Sequence, residues 1–199
     1  MFWSNNSPSI NRAEADVSKR LARLDRDDYQ VFNNVMLLST DIAQTVVTQI
    51  DHIIVSRYGI FCLETKSHCG WIFGSTSDRY WTQVIYKNRY RMYSPYRQNY
   101  GHIKAVEKAI GWIRLKDTIK SLVVFPTADK IKVNGTSYIG GVGKIMDIIK
   151  SYQEVIYSEA EFHEIVQMLE SARITKPYVF EFHKQEVAEL MNSYSYSEE

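Results

Sequence analysis

Val17, Leu21 and Leu24 stand at i, i+4 and i+7, with mostly polar residues between them. That spacing makes one apolar stripe and predicts a helix from Asn11 to Leu24. The period then changes. Residues 29–38 (YQVFNNVMLL), 46–56 (VVTQIDHIIVS) and 60–66 (IFCLETK) read as strands. Arg57-Tyr58-Gly59 leaves room only for a short turn, so the second and third strands run antiparallel. Trp71-Ile72-Phe73, after Gly70, predicts a short fourth strand. DRYWTQVIY and RYRMY form a hairpin through Lys87-Asn88-Arg89. Pro95, with Ser94 as N-cap, opens a helix to about Leu115 whose core stripe is Ile103, Val106, Ile110 and Ile113. SLVVF, ended by Pro126, is a buried strand. Val133 to Thr136 is a turn. Ile145, Ile148, Ile149 and Tyr152 have helical spacing. Ser158-x-x-Glu161 is a capping box opening a helix to about residue 172. Pro177 opens a last helix through Met191, either a dimerisation arm or a docked tail.

This order predicts an α/β sandwich with a central mixed sheet flanked by helices. Residues 1–10 are expected to be loose, residues 11–175 to form one domain, and residues 176–199 to form a helical arm with a polar tail. The chain has 199 residues, 45% of them apolar, enough for one packed core. A net charge of +1 excludes a polycation, so any nucleic-acid contact must come from a local patch. Two cysteines, Cys62 and Cys69, cannot make a disulfide framework and are expected to be small buried hydrophobes in a reducing compartment. The first residues carry no secretion signal. No apolar run reaches the roughly 18 residues that span a bilayer. A cytoplasmic protein without a membrane partner is the expectation.

Strand side chains alternate with period two. Glu64 and Lys66 therefore share a face with Ile60 and Cys62, and Asp51 shares one with Gln49, Ile53 and Val55. Tight antiparallel pairing brings Asp51 beside Glu64. Two adjacent carboxylates repel, and burial adds several kcal/mol for each uncompensated charge. A lysine offsets part of that cost and a divalent cation more. Carboxylates with backbone carbonyl and water oxygens are the hard donor set for Mg2+. The spacing alone is weak, because the same residues could point outward from an edge strand. Glu14 projects along the buried stripe of the first helix, or else serves the helix dipole. Gln98 and His102, at i and i+4, lie beside the core stripe of the second helix; taken alone, His102 reads as a structural histidine.

Residues 79–108 hold seven basic side chains, Arg79, Lys87, Arg89, Arg91, Arg97, Lys104 and Lys108, against one acidic, Glu107. Tyrosines and Trp81 interleave with them. Basic groups neutralise phosphates and aromatic rings stack on unpaired bases. The alternative is a solvated hairpin whose tyrosines pack on a neighbour.

Taken in order, these pieces resemble the nuclease-related domain (NERD) family, a branch of the PD-(D/E)xK restriction-endonuclease-like superfamily, from about Ala13 to at least Ile110. Ala13-Glu14 is similar to the glutamate of the family's first helix. TQIDHIIV (48–55) resembles its signature strand, and YGIFCLETK (58–66) its G-I-F-x-x-E-x-K strand with Gly70 following. Trp81-Thr82-Gln83 and SPYRQNYGH (94–102) resemble the later W-x-Q and N-P-x-x-Q-x-x-x-H elements. Ala13 stands where Gly is typical and Ser94 where Asn is typical; neither is a ligand position.

The resemblance implies a restriction-endonuclease-like sandwich and a metal-dependent nuclease, an endonuclease or nickase. Asp51, Glu64 and the backbone carbonyl of Thr65 would hold Mg2+ (or Mn2+), and Glu14 a second metal or a water. Lys66 would orient or deprotonate the attacking water. Gln98 would contact the scissile phosphate or orient Lys66. Nucleic acid, DNA ahead of RNA, is the implied partner, met by Arg79, Lys87, Arg89, Arg91, Arg97, His102 and Lys104. Cutting both strands calls for a homodimer or successive nicks. Two other readings stay open: a nucleic-acid-binding module that does not cut, and a protein-interaction domain in which the carboxylates make structural salt bridges.

Overall fold

A computed structural model gives the fold and describes residues 8–40, 45–111, 119–135 and 137–175. Helix α1 spans Pro8–Leu21. Strands β1 (Tyr29–Thr40), β2 (Thr45–Ser56) and β3 (Gly59–Thr65) form an antiparallel meander. Strands β4 (Gly70–Ser75), β5 (Tyr80–Ile85) and β6 (Asn88–Tyr93) precede helix α2 (Pro95–Ile110). Then come β7 (Ile119–Val124), β8 (Ala128–Asn134) and β9 (Tyr138–Gly140). Helices α3 (Ile145–Ser151) and α4 (Glu159–Ala172) follow.

The strands form two sheets. The larger has the order β1-β2-β3-β7-β9, antiparallel up to β3 and parallel beyond it. The central strand β3 is buried at every residue. Its alternation divides the core. Ile60 and Cys62, with Ile53 and Val55 of β2, pack against Ile103, Val106 and Ile110 of α2 and Phe162, Ile165 and Leu169 of α4. Phe61 and Leu63, with Ile54, pack on the other side against Val17 and Leu21 of α1 and Ile145 and Ile149 of α3. An apolar strand covered on both faces explains why IFCL is continuous rather than alternating. The architecture is a mixed α/β sandwich of the restriction-endonuclease-like kind.

The smaller sheet has the order β6-β5-β4-β8. One face carries Ile72, Trp81 and Met92 onto Val123 and Phe125 at the end of β7. Gly70 starts β4 at φ +74, where a Cβ would stand 2.3 Å from the carbonyl oxygen of Val84. Only glycine allows both that backbone conformation and that approach.

Several expected boundaries shift. Helix α1 begins at Pro8, inside the segment expected to be loose, and ends at Leu21; Leu24 is buried from the following turn. Helix α2 stops at Ile110 with Gly111 as its C-cap, so the stripe position Ile113 lies outside the described residues. Val133 and Asn134 belong to β8, and the turn begins only at Gly135. Cys62 is buried as expected, but Cys69 is exposed. The helix expected over residues 177–191 and the tail lie outside the described residues. The caps follow their sequence signals. Ser94 accepts from the backbone N–H of Arg97, and Ser158 and Glu161 close the reciprocal capping box.

Candidate active site

The site forms where β2, β3, α1 and α2 converge. Register brings it together. His52 pairs with Leu63 across β2 and β3, so Asp51 and Glu64 follow at the next step of the same ladder. Asp51 Oδ2 accepts a hydrogen bond from the backbone N–H of Thr65 at 2.7 Å. Glu64 is only 2% exposed. The Lys66 ammonium donates to Glu64 Oε1 at 2.7 Å and to Gln98 Oε1, on α2, at 2.9 Å. The second carboxylate oxygen, Glu64 Oε2, makes no hydrogen bond and lies 3.4 Å from His102 Nδ1. Gln98 and His102 are one helical turn apart, so one face of α2 supplies both.

Electrostatics in the site are dominated by crowded carboxylates. Burial first, then Glu64 and Glu14, push the Asp51 carboxyl well above the ordinary Asp range; the Thr65 N–H and Lys66 oppose them. Burial and then Glu64 raise Glu14 as well. Glu14 of α1 thus shares the field of the two strand carboxylates. Burial pushes Lys66 down, but Glu64, Asp51 and Glu14 outweigh it, so the ammonium is held charged. Cys62 sits beneath, fully buried, with its thiol pushed up by burial and then by Glu64 and Asp51. A thiol held protonated is no nucleophile.

A divalent cation matches this donor set. A buried carboxylate oxygen on Glu64 that accepts no hydrogen bond, and two further carboxyls raised by burial and then by neighbouring carboxylates, have the electrostatic signature of a site that a cation would relieve. Among the described residues, no three His, Cys, Asp or Glu side chains form a ready coordination shell. Mg2+ does not need one, since it keeps several waters and takes one or two carboxylates.

The basic residues divide. Arg97 donates from Nε to the carbonyl of Asp78 at 3.2 Å and from Nη2 to that of Ser77 at 3.0 Å, tying α2 to the loop before β5. Lys104 pairs with Glu107 at 2.7 Å. His102 is 3% exposed, which places it inside the carboxylate site rather than on a surface that nucleic acid reaches. Lys87, Arg89 and Arg91 are exposed on the hairpin. Asp78, Arg79, Tyr80, Arg89, Tyr90 and Arg91 are among the residues that line a concavity of about 550 Å3.

Three contributors escaped the sequence reading. Asn99 is fully buried and donates from Nδ2 to the Cys62 carbonyl at 2.8 Å, Ser121 Oγ at 2.9 Å and the Leu122 carbonyl at 3.2 Å. It pins α2 to β3 and β7 directly beside Gln98. His52 holds Asn33 Oδ1 at 2.8 Å from Nδ1, and burial lowers it to about 4. His68, in the loop after Lys66, is likewise lowered to about 4, by burial and then by Lys66. Asn99 had a signal in its place between Gln98 and His102; the two histidines had none. The W-x-Q pair is structural: Trp81 Nε1 donates to the Ser75 carbonyl at 2.8 Å and Gln83 Nε2 to the Cys69 carbonyl at 2.8 Å.

Known proteins extend the picture. The profile of a family described as nuclease-related domain matches residues 10–126, which contain all of these site residues. A protein of Bacillus anthracis, described only as uncharacterised, is 33% identical over 161 residues, covering 79% of this chain and 74% of its own. No solved structure gives a significant match.

Proposed function

Because the chain belongs to the nuclease-related domain family, within the restriction-endonuclease-like superfamily, we propose that it is a Mg2+-dependent nuclease that hydrolyses phosphodiester bonds, a DNA endonuclease or nickase. One observation carries the reading: Asp51 from the middle of β2, Glu64 near the end of β3 and Lys66 just beyond it come together, with Gln98 holding the lysine from α2. Asp51 and Glu64, with the Thr65 carbonyl, would hold Mg2+ or Mn2+, and Glu14 would hold a second ion or a water. When bound, the cation supplies charge stabilisation at the scissile phosphate.

The chain's own residues do the rest. Lys66, held charged by its carboxylate neighbours, orients the attacking water and offsets charge on the phosphate oxygens. Gln98 fixes the lysine through its side-chain oxygen, which limits the rotamers the long stem can adopt. Asp51 is aimed by the Thr65 N–H, so its carboxylate does not have to be ordered at the moment of binding. Exposed Lys87, Arg89 and Arg91 supply phosphate contacts.

Purified protein incubated with supercoiled plasmid tests this directly. Mg2+- or Mn2+-dependent relaxation or linearisation is expected, with Glu64→Ala and Lys66→Ala each reducing the rate by about 100-fold or more. Cutting that needs no divalent ion, or that both variants retain, overturns the proposal. Plasmid binding without cutting under any divalent ion selects instead a nucleic-acid-binding module of the same fold.

A further inference from the structure

The smaller sheet has a second face, turned away from the core, and its residues follow from the pairing register. Trp71 and Phe73 of β4 lie opposite Val84 and Thr82 of β5 on one side and Lys130 and Lys132 of β8 on the other. Tyr80, Thr82 and Val84 of β5 lie opposite Tyr93, Arg91 and Arg89 of β6. Cross-strand partners share a face, so one surface carries four aromatic rings with cations on both flanks. Trp71 is 46% and Tyr93 49% exposed. Lys130 stands 4.8 Å from the Trp71 ring, Lys132 5.8 Å from Phe73, and Arg91 3.8 Å from Tyr80. No Asp or Glu occupies a paired position of this face among the described residues.

The chain as a whole is almost neutral, at +1, so this concentration of positive charge is local. Its chemical complement is a polyanion that also offers flat apolar faces. A duplex hides its base faces in the stack; an unpaired strand presents them beside its phosphates. The geometry points to the outer face of the β6-β5-β4-β8 sheet as a binding platform for unpaired nucleic-acid strands, with bases stacking on Trp71, Phe73 and Tyr80 and phosphates neutralised by Lys130, Lys132, Arg89 and Arg91. The Arg91 guanidinium and the Lys130 and Lys132 ammoniums already stand near the rings in the free protein and would close over a stacked base in the complex. The platform rests on nucleic acid being the partner but not on the carboxylate site cutting it. It recruits β8, whose lysines lie outside the basic stretch of residues 79–108.

Fluorescence anisotropy in EDTA, which removes any contribution from cleavage, tests the platform with the full chain. Probes are labelled oligo(dT), oligo(U) and a duplex of about 20 nucleotides, long enough for one sheet. Single strands are expected to bind more tightly than the duplex. Trp71→Ala should weaken the single strands by about 5- to 150-fold, and Trp71→Phe should recover most of that. Replacing Lys130 and Lys132 together by Ala should flatten the log K against log[salt] slope by about 1.4. Circular dichroism and melting confirm that each variant folds. Trp71-dependent binding of either single strand supports the platform, and the tighter one identifies its source. Single-strand affinity unchanged in Trp71→Ala, or no single-strand binding at all, overturns it. Duplex binding that survives in that case keeps nucleic acid as the partner and sinks only the platform.

Discussion

At the scale of single residues, the site is a balance of repulsion. Asp51, Glu14 and Glu64 crowd one another, and Lys66 is the sole cation placed among them by the described contacts. A carboxyl raised in the folded state costs more to ionise there than in the unfolded chain. That cost is absent below the model-peptide value of 3.8 and complete above the raised value, so it destabilises the metal-free protein as pH rises through that window. Asp51→Asn removes the charge while its side-chain oxygen can still accept from the Thr65 N–H. Chemical denaturation at pH 7 without metal should find this variant more stable than wild type by roughly 1–2 kcal/mol, an advantage that shrinks on acidification. Equal or lower stability of Asp51→Asn at pH 7 contradicts a cost of ionising Asp51 in the folded chain, from burial and then from Glu64 and Glu14. His52 and His68 act with the opposite sign. Lowered from 6.5 to about 4, each favours folding above pH 6.5 and loses that contribution as pH falls toward 4. The comparison must therefore be wild type against variant at each pH, not one pH against another.

At the scale of elements, α2 is the part that turns two strands into a site. Asn99 makes three donor contacts into β3 and β7, and its neighbours on the helix, Gln98 and His102, reach the carboxylates. Asn99→Ala leaves buried strand carbonyls without that donor and should cost about 1–3 kcal/mol of stability. It should also slow cleavage at saturating metal while leaving metal affinity within about threefold, because Asn99 is a positioning residue rather than a ligand. A large loss of metal affinity would point to a collapsed site instead. The elements differ in how clearly the sequence announces them. The stripe of Val17 and Leu21, the buried run of β3 and the Ser158 capping box are local signals, and each element forms where its signal lies. The alternation Asp129-Lys130-Ile131-Lys132-Val133 is also a strand signal, which the sequence reading passed over for the turn signal Asn134-Gly135 that follows it. Strand β9 spans three residues, too short to show any period. Asp51, Glu64 and Lys66 were legible because the two strands are adjacent in sequence and locked by a tight turn. Asn99, His52 and His68 were not, because burial among partners from distant segments is a tertiary property.

At the scale of the whole molecule, two sheets divide the labour. The larger sheet buries its central strand on both faces and carries the carboxylates where β3 ends. The smaller one packs a single face on β7 and leaves the other to basic and aromatic side chains. The segment from Lys66 to Cys69 joins them, as does the short segment from Phe125 to Thr127 between β7 and β8. The pairing of β4 with β8 creates that outer face, and no single-strand pattern reveals which distant strand a given strand will adopt. Cation binding should stabilise the entire fold, by about 2.7 kcal/mol at a hundredfold excess over Kd, since only the folded chain assembles the donors. We propose above all that the carboxylates of β2 and β3 form a divalent-cation site. Calorimetric titration of Mn2+ into wild type, Asp51→Asn and Glu64→Gln, each shown to be folded, tests it most directly. Saturable binding in wild type that both variants lose is the predicted result; no binding in wild type, or equal binding in all three, contradicts it.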